Sequence, residues 1–207
     1  MKRIIIIIAF SITCVRGVQA QVKLGLQFSP VLSTNRVEGE TNATTGISSN
    51  GLGIRALTGL VVDQTLTPNY FFSTGAFYVV KRVGLQNVGN QAYRLQYIQV
   101  PVTLKLFTNE VTTDLKIYTQ VGLYGEVKIR ESFEGPDEPE AIEGFTFFDA
   151  GLVAGGGVEY RIGYDTLIFA GVTYRRGFTD VTRELGPSIN ELTVNNDLVS
   201  LDVGIKF

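Results

Sequence analysis

The chain of 207 residues has no histidine and no tryptophan, and only one cysteine and one methionine. Without histidine there is no Ser-His-Asp or Cys-His catalytic set, no His-Asp proteolysis and none of the commonest zinc sites. The single cysteine, Cys14, permits no intrachain disulfide, and the Ser11-Ile12-Thr13 before it lacks the small residue of a lipoprotein cleavage site. Long apolar runs are scarce too. Beyond the first segment none approaches the roughly twenty apolar residues of a membrane helix. With 18 bases against 20 acids there is no basic footprint for nucleic acid. The residues therefore specify no catalytic, cofactor-binding or metal site, and the expected protein is not an enzyme.

What is present begins with MKRIIIIIAFSITCVRGVQA. Lys2 and Arg3 precede an apolar run from Ile4 to Ile12, and Val18 and Ala20 have the spacing of a signal-peptidase site. At about 1.5 Å per residue this run is too short to cross roughly 30 Å of hydrocarbon as a helix. The expected organisation is a signal peptide over residues 1–20 and one domain over 21–207. Cleavage takes Lys2, Arg3 and Arg16 from the 18 bases, leaving 15 against 20 acids, and removes Cys14.

The rest alternates with a period of two. In DLKIYTQVGLYGEVKIR, residues 114–130, Leu115, Ile117, Val121, Leu123, Val127 and Ile129 share one parity, and Lys116, Tyr118, Gln120, Tyr124, Glu126, Lys128 and Arg130 the other. Similar runs start at Val22, near 51, near 70 (apolar on both parities), at Tyr97, at Phe147, at Thr166 and at Leu198. Eight such strands suit a closed antiparallel barrel, because closure removes unpaired edges. The connections alternate long and short: SPVLSTNRVEGETNATTGISSN, then TLTPN; VGLQNVGNQA, then TNEVTT; ESFEGPDEPEAIEG, then GYD; finally GFTDVTRELGPSINELTVNN. Four long outer loops and short periplasmic turns are the signature of an outer-membrane barrel.

Periodicity alone leaves the facing open, since a lipocalin-like calyx binding an apolar ligand alternates as well, with its apolar parity inside. The polar parity decides. Gly122, Gly151, Gly155, Gly157 and Gly204 would weaken a solvated strand, but in a narrow lumen they make room for Tyr118, Tyr124 and long basic side chains. Aromatics at Phe28, Tyr70, Phe148, Tyr160 and Phe207 suit interfacial girdles. The apolar parity of residues 114–130 is thus expected to face lipid, with Lys116, Gln120, Glu126, Lys128 and Arg130 facing a plugged polar lumen. Inside it Glu126, Glu159, Asp149 and Asp202 should pair with Arg55, Lys105, Lys116, Lys128 or Arg161.

At YIQVPVTLKL the fourth strand resembles the PorT-like outer-membrane β-barrel family of Bacteroidota, an outer membrane protein beta-barrel domain. KLGLQF, YVVKRVG, GVTYRRGF and the terminal Phe207 resemble it too. The resemblance spans essentially the whole mature chain through short motifs. It implies an eight-stranded up-and-down barrel of the cell outer membrane, surrounded by lipid and lipopolysaccharide. It also implies transient contact between Phe207 and the barrel-assembly machinery. Independently of the resemblance, the long outer loops are where an interaction module of this shape would engage a protein partner.

Other features have plainer readings. The glycines of GLVAGGGVEYRIG sit inside an alternating strand with no helix following, so they pack a lumen rather than cradle phosphate. The acidic stretch 131–143 matches no EF-hand spacing and reads as a solvated loop rather than a calcium site. Glu126 and Glu159 could serve acid/base chemistry only if brought into one cleft, and basic partners are expected instead. Arg175 and Arg176 read as ordinary rim charges rather than lipid-headgroup contacts. A narrow pore, or a membrane-embedded lipid-modifying enzyme, is the remaining alternative class.

Overall fold

In the computed structural model, residues 21–40, 48–49, 53–86, 92–133, 142–179, 182–185 and 191–207 are described. Among them eight long strands form the barrel wall: β1 (Val22–Glu40), β2 (Gly53–Thr67), β3 (Tyr70–Gln86), β4 (Ala92–Phe107), β5 (Leu115–Phe133), β6 (Phe148–Arg161), β7 (Leu167–Gly177) and β8 (Glu191–Lys206). Each pairs antiparallel with its sequence neighbours, and β1 pairs with β8, so the sheet closes on itself. Phe207 N donates to Leu24 O at 2.7 Å and Leu24 N donates to Phe207 O at 3.1 Å, extending that seam past the last strand residue. Ser48–Ser49 pairs with the end of β3, and Ile142–Phe145 with Thr182–Leu185 in a separate small ladder.

The start of β1, the end of β8 and three short connections share one end of the barrel. Pro68-Asn69 turns β2 into β3, proline presetting the φ that the turn requires. Between β4 and β5, Asp114 takes φ 64, a left-handed conformation that aspartate tolerates better than most residues, and its carbonyl accepts from Arg161 N at 2.9 Å. The third turn closes with Ile162 N donating to Thr166 O at 3.0 Å.

The strands run further than alternation predicted. The expected first loop, starting at Ser29, is strand as far as Glu40, and β8 begins at Glu191 rather than Leu198. The two extensions pair with each other, Asn35 with Asn196 and Glu40 with Glu191, so ladder hydrogen bonds hold segments whose side-chain pattern is not apolar. β3 likewise continues to Gln86, which shortens its connection to β4 to residues 87–91. The outer connections otherwise lie largely outside the described residues, as do the expected signal peptide and most of the acidic stretch. Phe28, expected near a strand end, lies well inside the lengthened β1.

Following the ladders once round, Phe71 leads through Lys105, Gln120, Gly155, Thr173, Ser200 and Val31 to Arg55. The Leu57–Val79 register carried two residues further puts Arg55 opposite Lys81, ten residues along the starting strand from Phe71. An even stagger keeps one parity inside all the way round, and strands in such barrels tilt by roughly 35–45°. Pro101 lies in a wall strand although it cannot donate to a ladder. The β3–β4 register accordingly skips from Thr74–Val102 to Phe77–Gln99, and Thr74 Oγ1 donates to Pro101 O at 2.8 Å.

The facing expected for β5 is observed. Ile117, Val121, Leu123 and Ile129 are exposed, Leu115 and Val127 half-exposed, and Tyr118, Tyr124 and Glu126 buried inside. The same holds on β4, where Ile98, Val100, Val102 and Leu104 face out while Gln99, Thr103 and Lys105 face in. From Ile98 to Leu106, at about 3.3 Å per residue and that tilt, the apolar band is roughly 19–22 Å tall. Beyond Ile98 the outward positions of β4 become Gln96 and Arg94, while inside the barrel Leu57, Val79, Leu95 and Leu198, each 0% exposed, are mixed with the charged Lys81, Glu126 and Asp149.

Arg130 departs from expectation. A β-bulge shifts the register so that Tyr97 pairs with Lys128 but Gln96 with Arg130. The extra residue moves Arg130 to the outer face, where it is exposed.

The glycines do make room for rings. A Cβ on Gly171 would lie 2.6 Å, and one on Gly157 2.8 Å, from the Tyr118 hydroxyl, while on Gly151 it would lie 2.7 Å from the Tyr124 ring. Gly171→Val should destabilise the folded barrel by about 1–3 kcal/mol through overpacking. Urea titration of the detergent-folded protein reads this out, and adding Tyr118→Phe should recover part of the loss.

Candidate functional site

The inward side chains of all eight strands converge on the lumen, and charges there cannot stay unpaired without a large desolvation cost. At the short-turn end, Asp63 of β2 and Glu159 of β6 are held by lysines of β1, β4 and β8. Lys105 Nζ lies 3.0 Å from Asp63 Oδ1, Lys206 Nζ lies 2.7 Å from Asp63 Oδ2 and also donates to Glu159, and Lys23 Nζ lies 4.0 Å from Glu159 Oε1. Ser73 Oγ donates to Asp63 Oδ1 at 2.5 Å. Aromatic rings line this cluster. Lys206 Nζ is 4.8 Å from the Phe169 ring centre and Lys105 Nζ 5.7 Å from that of Tyr118, while Phe71 and Phe107 meet edge to face at 4.9 Å.

Midway, Arg175 Nη1 donates to Ser200 Oγ at 2.7 Å, which donates to Asp202 Oδ1 at 2.7 Å. Thr173 Oγ1 donates to Asp202 Oδ2 at 2.5 Å and accepts from Gln120 Nε2 at 2.9 Å. A cavity of about 30 Å³ lies beside this group, lined by Gln27, Thr103, Lys105 and Asp202 among others.

Towards the outer end Lys81 is the hub. Its ammonium donates to Glu126 and lies 3.2 Å from Asp149 Oδ2, and Gln99 Nε2 donates to Glu126 Oε2 at 3.0 Å. The Lys81 and Glu126 side chains are both 0% exposed. The Tyr97 ring lies 4.9 Å from the Lys81 ammonium, and Leu57, Val79, Leu95 and Leu198 are fully buried among the inward side chains. Across the three clusters, Lys23, Lys105, Lys206, Arg175 and Lys81 match Asp63, Glu159, Asp202, Glu126 and Asp149 in number. Ion pairs and hydrogen bonds of this kind fill space and hold the wall together. They do not form a substrate cleft.

Part of this was foreseen. Glu126, Glu159, Asp149 and Asp202 are lumenal and bonded, and Lys105 is lumenal too, but it pairs with Asp63 rather than with any of those four. Three of the other foreseen bases stand elsewhere: Lys128 pairs with Glu131 at 2.6 Å near the surface, Lys116 is half-exposed and Arg161 is exposed. Lys81, Lys206 and Asp63 take those places. Lys206 stands on the polar parity of its strand and was legible there. Lys81 follows a run that is apolar on both parities, and only its pairing with β4 assigns its side. Arg175 is not a rim charge, being 6% exposed inside the lumen, whereas Arg176 faces out. Glu126 and Glu159 do not share a cleft, because they bind different lysines at opposite ends of the β5–β6 ladder. The glycines of residues 151–157 are strand. Among the described residues no group of three or more metal-ligating side chains converges.

The model of one family, described as outer membrane protein beta-barrel domain, matches residues 9–183. Among solved structures, the chain is similar to the outer membrane protein OprG from Pseudomonas aeruginosa, with TM-score 0.63 and 11% identity over 89% of this chain and 95% of that one. It is also similar to outer membrane protein AlkL, determined in DMPC lipid bilayers, with TM-score 0.52 and 18% identity over 91% and 90% of the two chains. Neisserial surface protein A gives TM-score 0.50 and 14% identity over 92% and 100%. No curated protein matches the sequence. At these identities the structural likeness is one of fold.

Proposed function

Because the chain belongs to the outer membrane protein beta-barrel domain family and is an outer-membrane barrel of eight strands, we propose that it is a non-enzymatic structural and interaction module with a closed lumen. The observation that carries this reading is the side-chain-filled interior, whose buried charges are bonded. Three bonded clusters and the buried Leu57, Val79, Leu95 and Leu198 occupy the lumen, and the cavity beside the middle cluster, at about 30 Å³, is only water-sized. Such an interior leaves the outer face and the connections beyond β1, β3, β5 and β7 as the surfaces that can meet a partner. A carrier with an apolar calyx is disfavoured by the same facing, since the greasy parity is outside along the band.

In this reading an N-terminal signal directs export, the chain sits among outer-membrane lipid and lipopolysaccharide, and Phe207 is the residue offered to the assembly machinery. Placement in the PorT-like branch of Bacteroidota is supported by the Tyr97 to Leu106 strand with its Pro101.

The test is conductance. In planar bilayers the purified protein should give no resolved ion steps, whereas Asp63→Ala with Lys105→Ala and Lys81→Ala with Glu126→Ala, combined in one variant, should open small ones. A wild-type protein that conducts steadily would favour the narrow-pore alternative.

A further inference from the structure

Above the apolar band, the outer face of β4 and β5 becomes basic. Tyr93, Leu95 and Tyr97 are 2%, 0% and 0% exposed inside the barrel, which sets Arg94 and Gln96 on the outside of β4. In register, Arg94 stands opposite Arg82 of β3, and Gln96 opposite Arg130 of β5. Arg130 is on the outer face because of the bulge. Arg94 and Arg130 thus fall together on adjacent strands, within roughly 10–15 Å of the edge of the hydrocarbon-facing band.

Their neighbours do not neutralise them. The residues facing Gln96 and Arg94 across the ladders are Val80, Arg82, Arg130 and Ser132, with no carboxylate among them. In addition, Arg94 Nε is buried with no hydrogen-bond partner among the described residues. Arg176 offers a contrast within the same molecule, since its register partner on β8 is Asp197. An unneutralised arginine group at this height meets one plentiful anion in a bilayer, the phosphate of a lipid headgroup, which a guanidinium can grip through two parallel hydrogen bonds.

We propose that the outer surface carrying Arg94 and Arg130, with Arg82 at the opposite register position, binds the phosphate of outer-leaflet lipid and fixes the barrel's depth and orientation there. The inference rests on the membrane reading above and adds a sided lipid site to it. Glu131 is spoken for by Lys128, so it does not compete for Arg130.

The folded protein in uncharged maltoside detergent is titrated with a glucosamine-disaccharide lipid carrying two phosphates, with the same lipid dephosphorylated, and with inorganic phosphate. Native mass spectrometry reads the bound lipid. The phosphorylated lipid should bind about tenfold more tightly than the dephosphorylated one, inorganic phosphate should not bind at matched concentration, Arg94→Gln with Arg130→Gln should abolish the preference, and Arg176→Gln should leave it intact. Equal binding of the two lipids, saturation by inorganic phosphate, or an unchanged preference in the double variant would overturn the proposal. Should the double variant fail to fold, Arg94→Lys, which keeps the charge without the fork, must still lower the preference. Heat-modifiability on a gel separates the two levels: loss of the wild-type shift strikes the barrel reading, while loss of lipid preference with the shift retained strikes only this site.

Discussion

Replacing Lys81 by Met should lower the barrel's folding stability by about 3–5 kcal/mol, the cost of leaving buried carboxylates without their cation. Glu126 and Asp149 both reach the Lys81 ammonium, and neither is accessible to water. Gln99 would remain as a donor to Glu126, but one neutral donor cannot offset two carboxylates. Equilibrium unfolding in urea from lipid vesicles measures the difference. Adding Glu126→Gln and Asp149→Asn to Lys81→Met should return most of the loss, because the charges are then removed together rather than orphaned. A single variant as stable as the wild-type protein would mean that the cluster is hydrated or uncharged, and that the lumen is not sealed at this level.

Arginine at Val121 should cost about 2–4 kcal/mol, and arginine at Ile129 only about 0–1. Both positions point outward on β5, 51% and 54% exposed, but at different heights. Val121 pairs with Leu104 and Ala154 in the middle of the apolar band, whereas Ile129 adjoins Arg130 at its upper boundary. Folding the two variants into vesicles of the same lipid gives the pair of values from one experiment. Equal costs at the two depths, or none at Val121, would show that hydrocarbon does not contact this face where the band places it.

The depth argument also shows where reading the sequence stopped short. Alternation marks a strand only while one side is wet and the other greasy. Above the bilayer boundary both environments change, and β1 beyond Phe28 and β8 before Leu198 lose the pattern while keeping their ladder bonds. Those segments look like loops in sequence for that reason. The bulge opposite Gln96 and Tyr97 is invisible for another reason: inserting a residue leaves composition unchanged and alters only which face Arg130 joins. Arg175, by contrast, was readable. It stands on the inward parity of a strand whose outward parity is Ile168, Ala170, Val172 and Tyr174, and assigning it to the rim set position along the chain above parity.

Sequence by itself determined the number of wall strands, the side that meets lipid on the strands with clean alternation, β4 and β5 among them, and the polar character of the interior, because a two-residue period records the difference between hydrocarbon and a bonded lumen locally, residue by residue. Tertiary structure decided which charges meet. A ten-residue stagger and tilted strands bring Lys206, near the end of the chain, onto Asp63 of β2 and Glu159 of β6, and set Lys81 between carboxylates of β5 and β6. Such partners lie across the barrel rather than along or beside a strand, so only closure of the sheet puts them within bonding distance.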